Sequence, residues 1–262
     1  YIHSELFRRN PIDAIKTLKT IFDQFREELF SDEKLATLFE RCKEIVGKEG
    51  VDGKLVEHYF QLMDAIQIYP LYQQWKKDEN RIDYGDMISN LWGLIISCEK
   101  VRSALQQRYM HIIVDEFQDN NHALSQVINV IAQPENNITV VGDDDQCIYS
   151  FRGANIQNVS GFKSKYDSHP KYAEVPLMEN YRSIKPILKL ANEIIQYNPD
   201  RIEKGELYSQ RESNFTPKLY EGTKDQQIAQ IKVEVESYLR SGIELNQIAI
   251  LSRTHKNCKL VS

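Results

Sequence analysis

The stretch Ile112-Ile113-Val114-Asp115-Glu116-Phe117-Gln118-Asp119 decides how this chain folds. Three branched apolar residues in a row predict a short buried strand, and two carboxylates come directly after it. A carboxylate pair at the end of a buried parallel strand suits a core that holds Mg²⁺ and activates water for phosphoryl transfer. A second strand, Ile138-Thr139-Val140-Val141, ends the same way, in Gly142-Asp143-Asp144-Asp145-Gln146. Two strands delivering acids to one edge predict a site at the carboxyl edge of an α/β sheet. On these residues alone, a solvated acidic loop is the plain alternative.

Working outward, the segment between the two strands carries Leu124, Val127, Ile128 and Ile131 at helical spacing, so 110–141 is a βαβ unit with parallel strands. Residues 1 to about 108 read as helix throughout. Asn10-Pro11 is a helix start, and Ile12, Ile15, Leu18, Phe22, Phe25 and Leu29 mark one face of that helix. Ser31 caps a second helix with Leu35, Leu38, Phe39, Cys42 and Ile45. A third, from about Lys54, is expected to break near Pro70, with Leu71, Tyr72 and Trp75 on the next. Asp83 and Asp86 frame an acidic helix start, with Ile88, Leu91, Trp92, Ile95 and Cys98 behind it. Beyond the βαβ unit the pattern predicts strands at 173–177, 217–220 and 248–251. It also predicts a helix capped by Ser183, burying Leu190, Ala191 and Ile194, and a helix across 224–240 stopped by Gly242.

The whole chain bounds what these elements do. It has 262 residues, enough for at least two units. Its net charge of −5, from 33 basic and 38 acidic residues, gives no global attraction to nucleic acid, so any such contact is local. Four widely spaced cysteines without a C-x-x-C pair argue against a zinc site or a disulfide framework and fit a reducing cytoplasm. No apolar run is long enough to span a bilayer, and no signal peptide is visible. The abrupt start at Tyr1-Ile2-His3 and stop at Leu260-Val261-Ser262 suggest a fragment.

Three clusters carry the chemistry: Val114 to Asn121, Val141 to Ala154, and Glu179-Asn180-Tyr181-Arg182-Ser183. Together they resemble motifs II, III and IV of superfamily 1 DNA helicases of the UvrD, PcrA and Rep type. The family's second pattern, V-G-D-x-D-Q-S-I-Y-x-F/W-R-G-A, is met except at Cys147, which stands for Ser. Asn120 stands for the usual Thr, and Asp83-Tyr84-Gly85-Asp86-Met87 is similar to the family's D-F-x-D-L segment. The likeness covers most of residues 70–255.

The resemblance implies ATP and Mg²⁺ as cofactors, with roles residue by residue. Asp115 would bind Mg²⁺ through water, Glu116 would polarise the attacking water, and Gln146 would sense the γ-phosphate. Tyr181 would stack on adenine, and Arg182 would reach the γ-phosphate as an arginine finger does. Tyr149, Phe151 and Arg152 would face single-stranded DNA, where aromatic rings stack on unpaired bases. Most have a plainer reading: helix capping for the carboxylates, a loop hydrogen bond for Gln146, core packing for Tyr149 and Phe151, a surface ion pair for Arg182; Arg152 could instead tie its loop to the carboxylates. For the basic residues Arg8, Arg9, Lys16, Lys19 and Arg26, the family suggests duplex contact near the fork, while a solvated helix face is the more economical reading.

The implied fold is α/β, with partial RecA-like P-loop NTPase cores on parallel sheets and an α-helical insertion domain. The insertion would span 1–82, the back half of the first core 83–176, and the front half of the second 177–262. A phosphate loop, G-x-x-x-x-G-K-[ST], is not in the sequence. Gly47-Lys48-Glu49-Gly50-Val51-Asp52-Gly53-Lys54-Leu55 comes nearest, but its spacing is off by one and a helix precedes it. The family's motifs V and VI are also absent. The implied function is ATP-dependent 3′→5′ unwinding by a larger parent, acting on single strands and single/double-strand junctions in repair or replication. A non-catalytic DNA-binding adaptor and the motor part of a helicase–nuclease are the rival readings.

Overall fold

The computed structural model describes residues 2–148, 157–198, 201–202 and 204–259. The chain forms two compact units, Tyr1–Val175 with Asp200–Ile202, and Pro176–Pro199 with Glu203–Ser262.

In the first unit, α1 (Glu5–Arg9), α2 (Pro11–Glu27), α3 (Asp32–Val46) and α4 (Gly53–Asp78) precede α5 (Tyr84–Ser97) and α6 (Glu99–Arg108). Polar residues set most of the starts: the Asn10, Ser31 and Asp52 side chains accept backbone N–H groups of α2, α3 and α4, and Asp83 forms a reciprocal capping box with Asp86. The core of this bundle is Ile21, Phe22, Phe25, Leu35 and Ala65. The buried stripe of α2 therefore runs through Ala14, Ile21, Phe22 and Phe25, and the expected Ile12 and Ile15 are exposed instead.

Pro70 does not break the helix: α4 continues through it. A proline inside a helix removes one backbone bond, at roughly 3 kcal/mol, and aromatic packing on both sides offsets this. The Phe22 ring lies 5.1 Å from Tyr69 and 5.2 Å from Tyr72, so both turns flanking Pro70 rest on one residue. Arg26 is a second correction. It is only 4 % exposed and does not belong to a solvated basic face, unlike Arg8, Arg9, Lys16 and Lys19.

After α6 come β1 (Ile112–Val114), α7 (His122–Ile131), β2 (Ile138–Val140) and α8 (Gln157–Tyr166). The strands pair in parallel with Ile112 opposite Ile138 and Val114 opposite Val140, giving the expected βαβ unit. Pairing extends past the strand ends, where Val141 N–H donates to Val114 carbonyl (2.8 Å) and Phe117 N–H to Val141 carbonyl (2.9 Å). The buried Phe117 ring meets Phe162 of α8 edge-on at 5.4 Å, so α8 supports the turn after β1. Ile113, on the opposite face of β1, is 77 % exposed.

In the second unit the α-helices among the described residues are α9 (Lys185–Ile195), α10 (Lys224–Arg240) and α11 (His255–Cys258), with a 3₁₀ turn at Leu245–Gln247. Residues 178–185 and 208–211 run side by side through one parallel bridge, Glu179 with Tyr208. Gly242 ends α10 as expected: its N–H and that of Ile243 return to the Leu239 and Tyr238 carbonyls. Ser183 is not the cap of α9, since Ile184 occupies that position and the Ser183 carbonyl accepts the Ser209 hydroxyl. Leu188 is the buried residue of α9, while Leu190 and Ile194 are exposed.

The strands expected at 173–177, 217–220 and 248–251 are not formed, and β1 and β2 are the only strands among the described residues. An extended segment becomes a strand only where a neighbour takes its N–H and C=O groups. Val175, Leu177, Leu219 and Leu251 are accordingly exposed. No helix among the described residues is long and apolar enough to cross a membrane.

Candidate active site

β1 and β2 end side by side, and the turns after them interlock. Asp115 leaves β1 exposed, with one carboxylate oxygen accepting the Glu116 N–H at 3.0 Å. Glu116 comes next, in the left-handed region (φ 48°, ψ 47°), which is uncommon for a residue with a side chain. A 3₁₀ turn, Phe117–Asp119, then bends the chain into α7, and the Asp119 N–H donates to the Glu116 carbonyl at 2.9 Å. The strain at Glu116 is held by buried Phe117 on one side and by the ladder to Val141 on the other.

Gln118 lies at the centre of this arrangement, 1 % exposed. Its amide nitrogen donates to the Glu116 carboxylate at 2.7 Å, and its amide oxygen accepts the Asp143 N–H at 3.0 Å. Asp143 in turn accepts the Gln146 side-chain amide at 2.8 Å and the Asp145 N–H at 3.1 Å. Glu116, Gln118, Asp143 and Gln146 thus form one continuous hydrogen-bonded chain across the two strand ends. Gly142 makes the approach possible, because a Cβ there would lie 2.7 Å from the Gln118 amide oxygen. Exposed Gln146 bonds a side chain and not the backbone expected on the plainer reading.

The turn after β2 is tied down from elsewhere in the chain. Arg201 Nε donates to Asp145 at 3.0 Å, and the Ile202 N–H donates to buried Asp144 at 2.8 Å. Among the described residues, Asp143, Asp144 and Asp145 are the acids close enough to share a cation, with ligand atoms within 4.8 Å of one another. Their carboxylates bond the turn itself, Arg201 and Ile202, so these oxygens serve structure. Asp115 stands outside this group, and its exposed carboxylate fits a hydrated Mg²⁺ ion bound through water. Cys147, in place of the family's serine, donates weakly to the Gln118 carbonyl at 3.7 Å. Burial pushes its thiol up from the usual range, and Asp119 and Asp144 add to this, which disfavours the reactive thiolate.

In the second unit, the Asn180 side chain accepts the N–H groups of Arg182 (3.0 Å) and Ser183 (2.7 Å), a local turn that presents 181–182 outward. The Tyr181 ring is 77 % exposed, and its hydroxyl donates to Glu179 at 2.9 Å, which raises its pKa. The Arg182 guanidinium is exposed and makes no ion pair among the described residues, while its carbonyl accepts from Arg211. The DNA-facing candidates Tyr149, Phe151 and Arg152 lie outside the described residues.

The segment Asp83-Tyr84-Gly85-Asp86-Met87 does something the sequence does not indicate. Arg26 Nη1 donates to Asp83 at 2.7 Å and to Asp86 at 3.2 Å, and Arg26 also pairs with Asp23. Lys76 reaches Asp83 at 3.2 Å, and the Tyr72 hydroxyl donates to Asp83 at 3.0 Å. Burial pushes the Asp83 carboxyl up, but the Asp86 N–H and the Arg26 guanidinium outweigh it and hold it at about 2. This network joins α2, α4 and the start of α5. Gly85 admits it, since a Cβ there would meet Arg26 Nε at 2.5 Å.

A parallel βαβ unit whose two strands end in acids makes this an α/β protein. The UvrD/REP helicase N-terminal domain matches residues 4–167, and the UvrD-like helicase C-terminal domain matches residues 175–262. The chain belongs to the UvrD/REP helicase family, whose domains imply a RecA-like α/β fold; the described residues are mostly helical, with one two-stranded parallel sheet. It is 33 % identical over 211 residues to the ATP-dependent DNA helicase PcrA of Staphylococcus epidermidis, covering 80 % of this chain and 28 % of that protein. To the PcrA of Staphylococcus aureus it is 33 % identical over 195 residues, covering 74 % of this chain and 26 % of the relative. The chain spans about a quarter of the length of these relatives.

Proposed function

We propose that this chain is part of an ATP-dependent 3′→5′ DNA helicase, a cytoplasmic motor that unwinds duplexes from single strands and junctions in repair or replication. The observation that carries this reading is the hydrogen-bonded chain from Glu116 through Gln118 and Asp143 to Gln146. A group that activates water and a group that senses phosphate must act in concert in a motor, and here they are mechanically linked. The relatives' description as ATP-dependent DNA helicases supports the same reading.

In this proposal Asp115 holds Mg²⁺ through water, and the ion neutralises phosphate charge when bound. Glu116 accepts a hydrogen bond from the attacking water and polarises it, and Gln146 contacts the γ-phosphate. Tyr181 offers its exposed ring to adenine and Arg182 its exposed guanidinium to phosphate, while Tyr149, Phe151 and Arg152 contact single-stranded DNA. Residues 1–82 form the insertion subdomain, 83–176 the back of the first core, and 177–262 the front of the second. The sequence holds no phosphate loop with its lysine, so these residues alone are expected to hydrolyse no ATP.

The test is Glu116→Gln in the full protein. DNA-stimulated turnover is expected to fall about 10²-fold or more while nucleotide binding stays measurable. Unchanged turnover would remove Glu116 from its role.

A further inference from the structure

One buried polar side chain at the site links the reacting groups but itself contacts neither water nor phosphate in the proposed chemistry. Gln118 is neutral, fully enclosed, and spends its amide on two turns that come from different strands. Its orientation is fixed by chemistry. A flipped amide would set its NH₂ against the Asp143 N–H and its oxygen against the Glu116 carboxylate, two repulsions in place of two bonds. Glu116 itself is exposed and sits on a left-handed backbone, and among the described residues Gln118 is the side chain that fixes where its carboxylate points. A neutral donor suits this task, because a lysine or arginine would draw the carboxylate into an ion pair and lower its basicity.

We infer that Gln118 is a positioning residue: it sets the Glu116 carboxylate for water activation according to the placement of the Gly142–Gln146 turn. The inference rests on the assignment of Glu116 under the proposed function. Gly142 is the second part of the device. Lacking a Cβ, it lets the turn after β2 close on the Gln118 amide, and any side chain there would push that amide away from Glu116. A displacement of the Gln146 turn is therefore transmitted to Glu116 through one rigid, buried amide.

The experiment measures DNA-stimulated ATP turnover of the full protein per nucleotide-binding site, with sites counted by titration of a fluorescent ATP analogue. Gln118→Met keeps the volume and removes both bonds. Turnover per site is expected to fall about ten- to a hundredfold, as small misplacements of a reacting group do, with KM for ATP changed less than about threefold. Gly142→Ala is expected to lower turnover in the same way without altering Gln118. In a Gln118→Ala background the added methyl meets no amide oxygen, so Gly142→Ala is expected to have little further effect. Wild-type turnover per site in Gln118→Met, or independent multiplying losses in the double variant, would overturn the inference. Glu116→Gln is run alongside. If it leaves turnover intact, the reading of Glu116 fails, and the role of Gln118 fails with it. If only the Gln118 variants are silent, the inference alone fails.

Discussion

Lys76 Nζ lies 2.6 Å from both carboxylate oxygens of Asp86, and both side chains are buried. Two charges removed from water this far depend on each other. Lys76→Met leaves Asp86 beside Arg26 alone, with one of its two cationic partners gone. Breaking a buried pair by removing one partner costs about 3–5 kcal/mol, and a loss of that size is expected here. Urea unfolding followed by circular dichroism measures it, and a change below about 1 kcal/mol would show that Arg26 suffices.

Asp83 belongs to the same network, but its effect depends on pH. Its carboxyl is held at about 2 in the folded chain, against an ordinary value of 3.8. A depressed folded pKa gives stability that is present above the unfolded value and disappears as pH falls through the folded one. About 2 kcal/mol is therefore expected to be lost between roughly pH 4 and pH 2. Asp83→Asn should be less stable than wild type at pH 6, and the difference should shrink across that window. An equal difference at pH 6 and pH 2 would contradict the assignment.

Gly85→Ala tests the geometry of the network without removing a charge. The new methyl would sit 2.5 Å from Arg26 Nε, and Arg26 is too enclosed to step aside. Overpacking of this kind destabilises by about 1–3 kcal/mol. A melting temperature equal to wild type would mean that the guanidinium relocates freely.

These residues show where sequence reasoning reaches and where it stops. The Asn10, Ser31 and Asp83 starts and the Gly242 stop are legible because each depends on neighbours within a few positions, and the βαβ unit because its three elements follow one another in sequence with clear apolar patterns. Arg26 reads as a surface charge because its partners Asp83 and Asp86 are 57 and 60 residues away. Arg201, which clamps Asp145 from 56 residues away, gives no local signal at all. Gln118 is visible only as one letter of a motif, since its role depends on how closely Gly142 approaches. The segments around Val175, Leu219 and Leu251 have the composition of strands, but composition does not supply a ladder partner.

Cys147 occupies the family's serine position, and burial with the nearby Asp119 and Asp144 raises its thiol pKa. Alkylation by iodoacetamide at pH 8 is therefore expected to be several-fold slower at Cys147 than in a small model thiol, as site-resolved mass spectrometry would show. Cys147→Ser keeps a donor toward the Gln118 carbonyl, so turnover in the full protein should stay within about threefold of wild type. A larger loss would mean that sulfur's size, and not its proton, matters at this position.

Glu116 carries both strain and function, and one substitution separates them. A side-chain-bearing residue held in the left-handed region costs about 1–2 kcal/mol, whereas glycine adopts it freely. Glu116→Gly removes that strain together with the Gln118 bond, and it loosens the unfolded chain. The three effects are small and opposed, so folding stability is expected to stay within about 1 kcal/mol of wild type. Turnover, by contrast, should fall at least as far as in Glu116→Gln, because the carboxylate is gone. Thermal unfolding and DNA-stimulated hydrolysis of the same sample give the two readouts. A marked loss of stability would mean that the carboxylate is needed to hold the turn, and that Gln118 is anchored by Glu116 and not the reverse.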